Sequence, residues 1–303
     1  KANGQFISGE QISRDLHVSR TAIWKHINIL KERGYIFESS TRKGYRLIYA
    51  PNLLTPLEID SALHTETFGR HVVYLSSTTS TNEEAKKIAR EGAEEGTIVV
   101  AEEQTGGRGR LTRSFYCPFA KGIWFTLILR PKFFPMEASK CTLMAAVGVC
   151  RGIRRLGLQD AGIKWPNDIL YHGKKLVGIL TEMSASMEKI DYIIIGAGIN
   201  TGMKKSEFPE LFRESATSFL AEGIDVSRKD LLAAILAELE KEYEIAQTQG
   251  FDKVLEDWKA LSVTLGQDVR VIMGEENYTG KAVDIDKDGC LLVDTGEKVE
   301  RVI

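Results

Sequence analysis

The residues best equipped for chemistry are gathered in Gln104–Arg113, which holds three glycines and three arginines in ten positions. Glycine lets backbone N–H groups come close to a ligand. Arginine offers a planar fork of donors that matches carboxylate and phosphate oxygens. The segment follows Thr97–Glu102, an apolar β-branched stretch that reads as a buried strand. A cationic loop leaving a strand end can clamp an anion. The same composition also describes a solvated charged loop, and the ten residues alone fit both.

Three further stretches carry donors. Ser76–Asn82 is rich in hydroxyls and precedes a helix expected over about Glu83–Glu91. Such a turn offers donors and a favourable dipole to a polar ligand, although capping the helix would need only one of its hydroxyls. Lys164-Trp-Pro-Asn-Asp168, with Lys175 beyond a turn, places two cations near an acid; Gly196-Ala-Gly-Ile-Asn200 ends an apolar strand. Neither Gly107–Gly109 nor Gly196–Gly198 fits a dinucleotide fingerprint, and GxxxxGK[ST] does not occur. With five histidines and no recognisable Ser/His/Asp or Cys/His spacing, the chain is poor in nucleophiles and bases. Basic loops of this kind suit the joining of two anions, with the nucleophile brought from outside.

The elements that must hold these loops alternate strand and helix. Strands are expected at Val72–Leu75, Thr97–Glu102, Gly122–Leu129, Lys175–Glu182 and Ile190–Gly198. Helices are expected at about Leu57–Leu63, Met136–Leu156, Arg228–Thr248 and Phe251–Leu261. This is the pattern of an α/β sheet with its site on the strand ends. From Ser262 the pattern changes to four short strands, suggesting a small SH3-like β-barrel. Asp284–Gly289 begins like an EF-hand loop, but its twelfth position is Thr295 and no helices flank it, so it reads as a hairpin turn.

The 303 residues are 43% hydrophobic and 27% charged, with a net charge of −2, an ordinary soluble profile. No apolar run reaches the roughly 18 residues of a membrane helix. Four scattered cysteines show no zinc spacing and suit a cytoplasmic protein. The charge is uneven. Residues 1–50 hold nine Lys and Arg against four acids, and the remainder holds 31 against 38. In the basic head, Ser8–Gln11 has capping-box spacing and starts a helix with Ile12 and Leu16 on its inner face. Ser19 caps a second helix to about Arg33, with Gly34 as terminator and Ile23, Ile27 and Leu30 as its buried stripe. Two strands around Ser39–Gly44 complete a winged helix-turn-helix. Such a unit can also bind protein, but a charge of +5 points to DNA. Arg20, Thr21, Trp24, Lys25 and Asn28 on the second helix, with Arg42 and Lys43 at the wing tip, are the candidate contacts. A further helix ordinarily precedes this pair; the chain begins at Lys1 without a methionine, so that helix is expected to be missing.

Gly107-Arg-Gly-Arg110, Lys164-Trp-Pro-Asn-Asp168, Gly173-Lys-Lys175 before Val177-Gly-Ile-Leu180, and Gly196–Asn200 make the chain resemble the bifunctional biotin protein ligases, which double as biotin operon repressors. The resemblance spans the whole chain. It implies a winged head over 1–50, a ligase core over 51–261 similar to class II aminoacyl-tRNA synthetases and lipoate ligases, and the barrel over 262–303. It implies ATP-dependent, Mg²⁺-assisted conversion of biotin to biotinyl-5′-AMP, then transfer to a lysine of a carboxylase acceptor domain. The adenylate would also act as corepressor, promoting a homodimer on operator DNA. By motif, Ser80, Thr81, Asn82 and Gln104 would meet biotin, and Arg108, Gly109 and Arg110 would fold over biotin and phosphate. Lys175 would reach the carboxylate and α-phosphate, with Arg110 and Lys164 as further catalytic cations. Asn167 and Asp168 would face the triphosphate and Mg²⁺, Asn200 the nucleotide, and Trp124 either the adenine or the core, with Arg113 assisting the loop. Relatives often carry a tryptophan after the arginine loop where this chain has Phe115-Tyr116. A biotin sensor without catalysis and a ligase for lipoate are the competing readings.

Overall fold

A computed structural model of the chain describes residues 4–32, 35–49, 52–109, 114–273 and 276–303. It divides into two compact units, Lys1–Asn52 and Leu53–Ile303.

In the first unit, Ser8 caps α1 (Gly9–Leu16) by accepting a 3.0 Å bond from the Gln11 N–H. The other half of the expected capping box is not made; the Gln11 side chain donates to Asp15 instead. Helix α2 (Arg20–Glu32) follows a short turn, with Ser19 accepting from the Ala22 N–H. Ile23 and Ile27 are buried, Leu30 is half-buried, and Leu16 is 62% exposed, contrary to expectation. A unit of this size has little interior, and two isoleucines fill it. Strands β1 (Ile36–Ser40) and β2 (Gly44–Tyr49) form the antiparallel wing, with Thr41–Lys43 as its turn. Gly34 lies outside the described residues.

The second unit is built on a seven-stranded sheet in the order β3 (Val72–Leu75), β4 (Ile98–Ala101), β5 (Gly122–Leu129), β9 (Ile190–Asn200), β8 (Lys174–Ala185), β7 (Asp168–Tyr171) and β6 (Gly162–Lys164). Only β3 and β4 run parallel. The sheet is therefore mostly antiparallel, because β6 to β9 follow one another as a meander; β5 is buried on both faces, so its apolar run does not reveal strand direction. One face packs on α5 (Cys141–Arg155) and α6 (Arg228–Gln249), burying Val100, Phe125, Leu127 and Ile195 with Met144 and Leu239. A short 3-10 segment, Pro135–Lys140, leads into α5 where one continuous helix was expected. Helices α3 (Pro56–Asp60) and α7 (Asp252–Leu261) flank this layer.

The opposite face is covered only in part. Helix α4 (Thr81–Arg90) lays Ala85 and Ala89 on Val99, Ile128 and Ile194, and the rest of that face carries the site. A buried ion pair, Arg228 to Glu102 at 2.7 Å, ties the start of α6 to the end of β4, two residues before Gln104. The Arg228 guanidinium also donates to the Gly122 carbonyl. After α7, β10 (Asp268–Met273), β11 (Glu276–Ile285), β12 (Leu291–Asp294) and β13 (Val299–Val302) form a four-stranded antiparallel meander.

Candidate active site

Three glycines on the remaining part of the α4 face let side chains lie directly on the backbone. Gly178 of β8 lies directly across from Gly198 of β9, and Gly196 follows on the same side of β9. A Cβ on Gly196 would stand 2.0 Å from Asn82 Oδ1, and one on Gly198 would stand 2.8 Å from the Phe115 ring. Here glycine is required by close approach. Gly196–Asn200 is thus part of a central strand, not the expected loop, and the site lies on the sheet face instead of the strand ends. A cavity of about 1050 Å³ includes all three glycines in its wall.

One side of the cavity is the start of α4. Ser80 occupies the N-cap position but makes no capping bond, so simple capping does not account for its hydroxyl. Gln104 performs that service: its Oε1 accepts from the Thr81 N–H at 2.8 Å and lies 3.0 Å from the Thr81 hydroxyl. Gln104 Nε2 in turn donates to Cys117 Sγ at 3.1 Å. Burial pushes the Cys117 thiol up to about 12, against the opposing pull of the Gln104 bond, so it stays protonated and is no nucleophile at neutral pH. Asn82 is held on both amide atoms, by Thr126 Oγ1 at 2.7 Å and Glu182 Oε2 at 2.8 Å. Lys86 bonds Glu182 at 2.6 Å and Glu83 at 3.0 Å. Burial works against the Lys86 ammonium, but these two carboxylates outweigh it and hold its pKa above the usual lysine value.

The other side is cationic. Lys175 Nζ forms an ion pair with Asp168 at 2.6 Å and stands 5.6 Å from the centre of the Phe115 ring. The Lys175 backbone is anchored by exchange with Ser215 and Thr217. Lys164, Asn167, Asp168 and Asn200 line the same cavity. Asn167 Nδ2 bonds the Ile179 carbonyl and Asn200 Nδ2 the Thr217 carbonyl, so both side chains are fixed by backbone. The small meander braces this side: Trp165 bonds Thr264 through its backbone and Gly289 through its indole N–H.

The glycine-arginine loop has pinned feet. Thr105 and Gly106 donate to the carbonyls of Thr78 and Thr79, and Phe115 donates to Gly107. A Cβ on Gly107 would meet the Phe115 carbonyl at 2.5 Å, so this glycine also serves close packing. Arg108 and Gly109 line the cavity, with the Arg108 guanidinium exposed and 4.0 Å from Glu83. Arg110 and Arg113 lie outside the described residues.

Trp124 is a core aromatic and does not line the cavity. It is fully buried, bonds the Pro118 carbonyl, and packs edge-on to Phe115 at 6.0 Å; Phe115 reaches the cavity, as do Tyr116, Phe125, Trp165, Phe208 and Phe212. Among the described residues no cluster of three or more His, Cys, Asp or Glu could hold a metal. Asp286 of the EF-hand-like stretch spends its carboxylate on the N–H groups of Asp288 and Cys290 and on Arg301, making the expected turn.

Sequence reasoning missed Thr126, Glu182 and the wall that Val269–Ile272 contribute from the small sheet. A lone hydroxyl within the apolar run Gly122–Leu129 was the available signal, since a buried hydroxyl needs a partner. On the first unit, Arg20, Thr21, Trp24 and Lys25 are exposed and Asn28 is half-buried; Arg42 and Lys43 are exposed at the wing turn. Lys43 and Arg46 also stand over the Phe6 ring.

Residues 74–200 match the Biotin/lipoate A/B protein ligase family, residues 1–46 an HTH domain, and residues 264–303 the Biotin protein ligase C terminal domain. The chain is 41% identical over its full length to the bifunctional ligase/repressor BirA of Bacillus subtilis, covering 93% of that protein. It is 32% identical to the protein of that name from Escherichia coli, over 97% of this chain and 89% of that one. The biotin protein ligase of Aquifex aeolicus, solved with biotin and ATP, superposes with a TM-score of 0.67 at 28% identity, over 77% of this chain and 95% of that one. Fold and cavity thus define a ligase core of the biotin/lipoate type accompanied by a helix-turn-helix. The chain belongs to the bifunctional biotin ligase/repressor family.

Proposed function

We infer that the protein is an ATP-dependent biotin protein ligase that also represses transcription, with biotinyl-5′-AMP serving both as intermediate and as corepressor. The observation that carries this is one cavity with two unlike ends: hydroxyls and amides at Ser80–Asn82 and Gln104, and ammonium groups at Lys164 and Lys175. The polar end suits the ureido ring of biotin, and the cationic end suits its carboxylate beside a triphosphate.

A carboxylate and a polyphosphate repel, so bringing a carboxylate oxygen to the α-phosphorus needs fixed positive charge. Lys175, already paired with Asp168, supplies it as the new O–P bond forms and pyrophosphate leaves, with Lys164 and Arg110 as further cations. In the second step the acceptor lysine attacks the acyl carbon and AMP leaves. Arg108, Gly109, Arg110 and Arg113 close over the mixed anhydride and exclude water. Asn167 and Asn200 face the nucleotide, with Phe115 as an aromatic of the cavity wall in place of the buried Trp124. Asp168 is a single carboxylate on the cavity wall, which fits Mg²⁺ carried in with the nucleotide, since that ion takes one or two carboxylates plus phosphate oxygens. There it would neutralise phosphate charge.

The division into a DNA-binding head over 1–50, a ligase core over 51–261 and an SH3-like barrel over 262–303 is supported by the unit boundary after Asn52 and by β10 starting at Asp268. No helix among the described residues is long and apolar enough to cross a membrane, and all four cysteines are free, which suits the cytoplasm. A ligand-promoted homodimer on operator DNA completes the proposal. Intact-mass analysis of a biotin-acceptor domain after incubation with the protein, biotin, ATP and Mg²⁺ tests it. A gain of one biotinyl group is expected, and lipoate in place of biotin should give none. An unmodified acceptor would overturn the enzymatic reading.

A further inference from the structure

Thr126 has no surface in the cavity and is fully buried in β5, yet it touches two residues that line it. Its Oγ1 lies 2.7 Å from Asn82 Oδ1 and 2.8 Å from Thr81 Oγ1. Each of these hydroxyls carries one proton, and an amide oxygen can only accept. Asn82 Nδ2 is committed to Glu182 at 2.8 Å, which fixes which amide atom faces which way. Thr126 must then donate to Asn82 Oδ1, and its own oxygen is free to accept from Thr81. Gln104 Oε1 accepts from the Thr81 N–H and also lies 3.0 Å from the Thr81 hydroxyl. The Thr126 proton therefore points to Asn82, and the single Thr81 proton is taken within the wall by Thr126 or by Gln104. Either way the Thr81 hydroxyl keeps a lone pair for the cavity, and Asn82 Oδ1 keeps a second one.

We propose that Thr126, with Glu182, is a positioning residue that sets the hydrogen-bond polarity of the biotin pocket, presenting Thr81 and Asn82 as acceptors to the N–H groups of the ligand's cyclic urea. The register supports this. Thr126 pairs with Gly196 across β5 and β9, and the missing Cβ at Gly196 is the space Asn82 Oδ1 occupies. A hydroxyl, an amide and a glycine on three different elements are thus matched to one another. An apolar strand gains nothing from a hydroxyl at this position unless that hydroxyl is used.

The inference rests on Thr81 and Asn82 meeting biotin, and that premise has its own control. Thr126→Val keeps the shape and removes the proton. It should raise the KM for biotin roughly tenfold or more while kcat at saturating biotin and the KM for ATP stay within about threefold. Thr126→Ser should restore the biotin KM. Glu182→Leu, at a partly exposed position, should raise the biotin KM in the same way and decides the matter if the valine variant does not fold. Asn82→Ala is the control. If it raises the biotin KM while Thr126→Val and Glu182→Leu do not, the positioning role is overturned and the pocket assignment stands. If Asn82→Ala leaves the biotin KM unchanged, the pocket assignment fails and the inference falls with it.

Discussion

Lys175 sits 2.6 Å from a carboxylate and against an aromatic ring, in a cavity that offers few other described cations. Its ammonium is therefore held in place before any anion arrives, and preorganised charge is what a developing pentavalent phosphorus rewards. Lys175→Ala is expected to lower adenylate formation about a hundredfold or more, read as pyrophosphate release with biotin and ATP. Near-normal release would remove Lys175 from its proposed role. At this scale the sequence was most readable where a residue belongs to a dense motif. Lys175, Asp168 and Asn82 were visible because glycines, lysines and hydroxyls crowd around them. Thr126 and Glu182 were not, because each sits singly in a strand, where threonine also reads as ordinary β-propensity and glutamate as a solvated edge. Trp124 was ambiguous for a related reason: an indole in an apolar strand satisfies itself with one carbonyl, here that of Pro118.

Strands and turns set the next level. Strand β9 was legible in length but not in role, because its glycines imitate a loop when read without a partner strand. Only the facing Gly178 and the approach of Asn82 and Phe115 explain them. Gly196→Ala should displace Asn82 and raise the biotin KM at least about tenfold, with little loss in thermal midpoint if the strand itself tolerates alanine; a midpoint loss with unchanged KM would make the glycine purely structural. The turn between β11 and β12 depends on Asp286. Burial pushes its carboxyl upward, but Arg301 and the N–H groups of Cys290 and Asp288 outweigh that and hold it below the usual range. A lowered folded-state pKa contributes stability above the unfolded value of about 4 and loses it as pH falls through the folded value. Asp286→Ala should therefore cost about 1–2 kcal/mol at neutral pH, with the gap to the parent narrowing below about pH 4 in urea melts. A constant gap across that range would exclude the carboxylate as its source.

Across the molecule, the charge division is the plainest feature: +5 on residues 1–50 against an acidic remainder. Arg42 and Lys43 are exposed at the wing turn and are the proposed phosphate contacts. Replacing both with alanine should weaken binding to any duplex and reduce the slope of log K against log salt by about 2, close to 0.9 per lost contact. A slope unchanged in fluorescence titrations at several salt concentrations would assign DNA contact to other residues. Fold class was legible at this level because the shift to short strands near Ser262 and the basic head are compositional. Strand direction was not, because a strand buried on both faces looks the same in a parallel or an antiparallel sheet.

The glycine floor at Gly178, Gly196 and Gly198 limits how this pocket can change. A pocket bounded by side chains can be enlarged by truncating them. The glycines themselves are already backbone, and the side chains laid on them are those of Asn82 and Phe115. Mutation of these glycines can only add bulk against those two residues, so a bulkier ligand must be admitted through the walls, at Phe115, Arg108 or the edge of the small sheet. Ligand choice in this protein is therefore adjustable from the sides and fixed from below.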